Sequence, residues 1–260
     1  MKETGRLYRA VLFDLFGTVA LFAQERLPLF EWQGKTTRST MGTLRAVIEE
    51  KLPSIPFAQF FAAMSAVNQE LGELRNRDMR EFSSAYRFTR VLLHVGLPEV
   101  TATQQLGADL ANAHMEVLAG ATMVPPAHVS LLARVFPHYR VALISNFDHS
   151  LTARRIIERD GASLYFHHVV ISEEHGWRKP HPRIFIDALN ALNVSPSESL
   201  FVGDSPSDDI VGARQVGMDI AWVNALDVPL PEKIPVPDYT VRAIPELQHM
   251  LIMSDTRSAG

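Results

Sequence analysis

The chain has 260 residues, of which 47% are hydrophobic and 21% charged, with a net charge of −4 and no cysteine. It is long enough to bury a full core, as one large domain or as a core with an inserted module. The charge balance excludes the basic footprint of a nucleic-acid binder. No apolar run approaches the ~20 residues that span a membrane, and the missing thiols exclude disulfides, cysteine nucleophiles and cysteine-ligated zinc. Residues 1–10 carry charges with no apolar h-region behind them, so no signal peptide is read. A cytoplasmic protein that contacts neither membrane nor nucleic acid is expected, as monomer or homodimer.

Residues 8–13 form a short apolar run that reads as a buried strand and ends on Asp14. Between 20 and 119 the texture changes. Helical apolar spacing marks 57–75, 82–95 and 101–118, with Pro53, Pro56 and Pro98 as punctuation. No strand is read there, so an all-helical insert is expected. After Pro125-Pro126 helices and strands alternate. Helices are read at 129–135, 150–160, 182–192 and 208–216, and strands at 140–144, 166–171, 200–202 and 220–223. A last strand at 239–241 and a helix at 245–250 precede a frayed tail at 253–260. Repeated strand–helix units predict an α/β fold: a Rossmann-like, three-layer core with a parallel sheet. The expected domains are a catalytic core at 1–19 and 120–252 and an all-helical cap at 20–119.

Open parallel sheets bind ligands outside the carboxyl ends of their strands. Three predicted strands end in polar groups: Asp14, Ser145-Asn146 and Gly203-Asp204. Lys179 sits in the loop Arg178-Lys179-Pro180-His181-Pro182 before a helix. Each feature alone reads more readily as a turn, a helix cap or, for Lys179, a solvated surface charge; their conjunction in this order carries the argument. Asp14, at the end of a buried run, needs a compensating charge. A carboxylate there can attack a substrate and form a covalent ester or acyl phosphate. Asp204 with Asp208 or Asp209 can join Asp14 around a hard cation, and Mg²⁺ favours such oxygen ligands plus substrate phosphate. Ser145, nearby backbone N–H groups and Thr18 can donate to an oxyanion, and Lys179 adds a compact positive charge.

These residues resemble the four motifs of the haloacid dehalogenase superfamily, in order. Asp14-Leu15-Phe16-Gly17-Thr18 is similar to the first, Ser145-Asn146-Phe147 to the second, Lys179-Pro180-His181-Pro182 to the third, and Gly203-Asp204-Ser205-Pro206-Ser207-Asp208-Asp209 to the fourth. The resemblance implies a nucleophilic Asp14. It implies a Mg²⁺ site formed by Asp14, the Phe16 carbonyl and Asp204, with Asp209 favoured over Asp208 in support. Ser145, Asn146 and Lys179 would hold the substrate anion. It also implies a helical cap between the first two motifs and an active site between cap and core.

One position departs from the family's phosphatases. They carry a second Asp where this chain has Phe16, and that Asp protonates the leaving group and then activates water. General acid–base help of that kind is typically worth 10²–10⁴ in rate. Haloacid dehalogenases also have an aromatic residue there, and their third motif resembles 179–183. They work without metal, lack the Gly-Asp pair kept here as Gly203-Asp204, and have Tyr where this chain has Phe185. Arg45 or Arg38 in the insert can bind a substrate carboxylate, and His94 or His114 can replace the missing acid. The expected activity is a Mg²⁺-dependent phosphatase of a small phosphorylated metabolite. The alternatives are a metal-independent 2-haloacid dehalogenase and an inactive binding relative.

Overall fold

The computed structural model describes residues 8–252, so the expected tail at 253–260 lies outside the described residues. In chain order the elements are β1 (Ala10–Phe13), β2 (Leu21–Phe22), β3 (Leu29–Trp32), β4 (Lys35–Arg38), α1 (Met41–Lys51), α2 (Phe57–Asp78), α3 (Ser84–His94), α4 (Thr101–Gly120) and β5 (Thr122–Met123). There follow α5 (Pro126–Val135), β6 (Arg140–Ser145), α6 (Ser150–Arg159), β7 (His168–Ile171), α7 (Ser172–His175), α8 (Pro182–Leu192), β8 (Ser199–Gly203), α9 (Val211–Val216), β9 (Asp219–Val223), β10 (Tyr239–Val241) and α10 (Gln248–Ile252). They fold as two compact units. The first holds the described residues up to Leu21, together with 124–147 and those from 153 onward; the second holds 22–123 and 148–152.

The first unit is built on a six-stranded parallel sheet in the order β10-β9-β8-β1-β6-β7. Side chains alternate between its faces. Leu12, Ile144, Phe201 and Trp222 pack in one cluster with Ile184, Phe185 and Leu189 of α8 and Ala213 of α9. Val11, Phe13, Val141, Leu143 and Val202 are buried on the opposite face. A strand buried on both faces reads as an unbroken apolar run, which is why β1, β6 and β8 are apolar throughout their centres. No described helix is long and apolar enough to cross a membrane.

The second unit corrects the expectation of an all-helical insert. Strands β3 and β4 form an antiparallel hairpin with Trp32 opposite Lys35. Gln33 and Gly34 between them take φ of 50° and 73°. Two central residues with positive φ make the turn whose twist matches paired strands. Helix α1 adds a helix that the apolar spacing does not mark. Helices α1 to α3 pack around Leu44, Ile48, Phe57, Phe60, Val67, Leu71, Phe88 and Leu92, and Phe30 of the hairpin joins that cluster. Trp32 meets Phe57 edge-on at 5.3 Å. Residues 148–152 return to this unit: the Ser84 amide donates to the Asp148 carbonyl at 2.7 Å, and Arg87 lies 3.5 Å from its carboxylate.

Candidate active site

The register of the sheet assembles the site. Phe13 pairs with Leu143 on one side and Val202 on the other. Asp14, one residue on, therefore leaves the sheet level with Gly203, the residue after the last apolar position of β8. Its amide donates to the Val202 carbonyl at 2.8 Å. Ser145 closes β6, and Asp204 follows β8 directly. The turn after Asp14 is closed by the Gly17 amide donating to Ala20 and the Ala20 amide donating to Leu15. Gly17 has φ of +81°, and a Cβ on it would overlap the Asp204 carboxylate. A Cβ on Gly203 would overlap the carboxylate of Asp209. Both glycines thus hold space that the carboxylates fill.

Lys179 is the bridge between these acids. It is 2% exposed, and its ammonium lies 2.5 Å from Asp14 Oδ1 and 2.7 Å from Asp209 Oδ1. Asp14, Asp204 and Asp209 each offer one oxygen, all within 4.8 Å of one another. One ammonium cannot neutralise three carboxylates. Burial, and then Asp209 and Asp204, push Asp14 up to about 8 against the pull of Lys179. Burial and Asp209 push Asp204 up to about 6. Burial opposes the Lys179 charge, but Asp14 and Asp209 outweigh it and hold the ammonium above its ordinary range. Three oxygen donors with surplus negative charge are the donor set of a hard cation, so the residues present fit a divalent metal.

Asn146 clips the Lys179 backbone at two points. Its Oδ1 accepts from the Lys179 amide at 2.7 Å, and its Nδ2 donates to the Lys179 carbonyl at 2.9 Å. The same Nδ2 donates to Asp208 Oδ2 at 3.2 Å. Asp208 therefore stands apart from the three clustered acids, and Asp209 faces them. The Ser205 amide donates to Asp209 Oδ2 at 2.9 Å and fixes that carboxylate. Ser145 Oγ and Thr18 Oγ1 are fully buried and have no hydrogen-bond partner among the described residues. A buried unpaired hydroxyl costs about 1–3 kcal/mol; neither residue lines the cavity around Asp14 and Lys179.

Asp14, Phe16, Asn146, Arg178, Lys179, Asp204, Ser205, Asp208 and Asp209 line one cavity of about 170 Å³. Phe16 forms its apolar wall, with its ring 4.5 Å from that of Phe147. A larger cavity of about 310 Å³ lies at the amino ends of β1, β6 and β7, near Tyr8, Arg9, Arg140 and His167, and no carboxylate lines it. Arg45 belongs to the second unit and pairs there with Glu49 at 2.7 Å. Arg38 donates to the Leu27 carbonyl at 2.7 Å. His114, also in the second unit, is pushed down to about 4 by burial, Arg87 and His149, so it is neutral near pH 7. The sequence reading did not single out Arg178 or Ser205 as cavity residues; their only signal is adjacency to Lys179 and Asp204.

A parallel sheet whose strand ends at Asp14 and Asp204 meet Lys179 and Asp209 from adjoining loops is a Rossmann-like α/β core with an acidic cluster at its carboxyl ends. The chain belongs to the haloacid dehalogenase-like hydrolases, whose family model matches residues 8–217. It is 35% identical over 133 residues to a glyceraldehyde 3-phosphate phosphatase of Pyrococcus furiosus, covering 49% of this chain and 54% of that one. It is 39% identical over 127 residues to a pyrimidine 5'-nucleotidase of Escherichia coli, covering 48% and 56%. The chain thus spans about half the length of these curated relatives. A 2-haloacid dehalogenase structure from Pseudomonas syringae shares the fold, with a TM-score of 0.71 at 22% identity over 97% of this chain and all of that one.

Proposed function

We propose that this protein is a Mg²⁺-dependent phosphatase of a small phosphorylated metabolite that works through an aspartyl-phosphate on Asp14. The observation that carries the reading is the cluster of Asp14, Asp204 and Asp209 on the single ammonium of Lys179. A metal-free displacement has no use for that surplus of negative charge. Asp14, Asp204 and the Phe16 carbonyl would hold Mg²⁺, with Asp209 in support. The bound ion would supply charge neutralisation for nucleophile and phosphate.

The chain's own residues account for the remaining steps. Lys179, fixed by the Asn146 clip, orients Asp14 and favours its ionised form against the burial and neighbouring acids that raise its pKa. The Asp14 carboxylate forms a bond to phosphorus as the bond to the leaving oxygen breaks. Ser145, Thr18 and Lys179 donate to the phosphoryl oxygens. Phe16 transfers no proton, so the leaving oxygen takes its proton from water. Water then cleaves the acyl phosphate and frees Asp14. A cavity of about 170 Å³ suits a phosphoryl group with few further atoms.

The aromatic pair of Phe16 and Phe147 favours a second reading, a 2-haloacid dehalogenase, because halide leaves without a proton. The test is a panel of small phosphate monoesters, and 2-chloropropionate, assayed with Mg²⁺ and with EDTA. Phosphate release that EDTA abolishes is expected. Halide release in EDTA with no phosphate release would replace the first reading with the second.

A further inference from the structure

The cavity contains a second cation that the mechanism above does not use. Lys179 is enclosed by Asp14 and Asp209, so its charge is already shared between two carboxylates. A phosphate monoester is a dianion, and it must enter a cavity lined by four acids: Asp14, Asp204, Asp208 and Asp209. Arg178 is the other cationic side chain lining that cavity. It is half-buried and rides on a fixed turn. The Arg178 carbonyl accepts from the His181 amide at 2.9 Å, and the next residue is clipped at both backbone atoms by Asn146. The Trp177 ring stacks on His181 at 4.0 Å and braces the turn from its other end. Asp208, which accepts from Asn146 Nδ2, lies within electrostatic reach of Arg178.

A guanidinium presents a planar fork of donors that matches phosphate oxygens two at a time, whereas an ammonium acts as a point charge. From this arrangement we infer that Arg178 is the substrate-binding residue that captures the phosphate dianion at the cavity, and that it sets the preference for phosphate monoesters over less charged esters. Capture by Arg178 acts on binding more than on bond breaking, because the reacting oxygen belongs to Asp14. The inference rests on the phosphatase reading for its kinetic arm only; the binding arm stands without turnover.

The test uses the full chain with Mg²⁺ and p-nitrophenyl phosphate, comparing Arg178→Gln and Arg178→Lys with the parent. Arg178→Gln is expected to lower kcat/KM at least tenfold, carried mainly by KM, and Arg178→Lys to recover part of the loss. Inorganic phosphate binding, followed by calorimetry, is expected to weaken by a similar factor in Arg178→Gln. Unchanged KM and unchanged phosphate affinity in that variant would overturn the inference and leave the phosphatase reading intact. A parent that binds phosphate through Arg178 but turns over no ester would sustain the inference and overturn the phosphatase reading.

Discussion

The two units spend their charged residues differently. In the second unit cations are matched locally. Arg45 pairs with Glu49 one helical turn away, Arg90 with Glu70, and Lys51 with Asp109, all on exposed surface. In the first unit two buried acids, Asp14 and Asp209, and the partly buried Asp204 gather near the single buried Lys179, with the negative charges in excess. Burial of unpaired charge is tolerated only where something repays it. The contrast sets the acid cluster around Lys179 apart from these matched surface pairs, and the following changes sharpen or break it.

The largest effect falls on the nucleophile. Asp14→Asn keeps the shape and removes the charge, and phosphate release should fall by at least about 10⁴. Residual turnover within tenfold of the parent would move the chemistry to another group. Phe16→Asp comes next. It restores a proton donor, and since such help is worth about 10²–10⁴, kcat for an alkyl phosphate should rise at least tenfold, with little change for an aryl phosphate that leaves easily. No gain would mean that a different residue already supplies the proton.

A third effect is on stability. Asp14 at about 8 and Asp204 at about 6 titrate above their ordinary range in the folded protein. Between about pH 4 and those values the folded state binds more protons than the unfolded state, so metal-free stability falls as pH rises through that window. A divalent cation offsets the repulsion. The Tm gained on adding saturating Mg²⁺ should therefore be larger at about pH 8 than at about pH 5, and smaller in Asp204→Asn. An equal gain at both pH values would detach the cation from these carboxylates.

The smallest effect is expected in the second unit. Exposed pairs one turn apart are worth about 0.3–0.5 kcal/mol, so Arg45→Ala should barely move Tm. A rise in KM for carboxylate-bearing phosphate esters, without one for p-nitrophenyl phosphate, would give Arg45 its substrate role; equal KM values for both would confine it to the pair with Glu49.

How much of this was legible in the sequence follows from the same contrast. Strands β1, β6 and β8 are buried on both faces, so each shows as an apolar run, and the polar residue that ends it stands out. That is why Asp14, Ser145 and Asp204 could be named before the fold. The hairpin of β3 and β4 gave no such signal: all four residues of Lys35–Arg38 are exposed, and Gln-Gly is a weaker turn mark than Asn-Gly. Helix α1 buries only Leu44 and Ile48, too few for a clear period. The choice between Asp208 and Asp209 depended on the turn at 206–210, which faces Asp209 toward Lys179 and leaves Asp208 to Asn146. The two-point clip by Asn146 is a tertiary contact across 33 positions of chain, and no local spacing announces it.

The most direct test of the account is to trap the covalent intermediate. The protein is acid-quenched during turnover of a phosphate monoester with Mg²⁺, reduced with borohydride, and its peptides are weighed. The account predicts that the aspartyl-phosphate is converted to homoserine at position 14 and nowhere else. Modification at a different carboxylate, or none under conditions of rapid turnover, would contradict it.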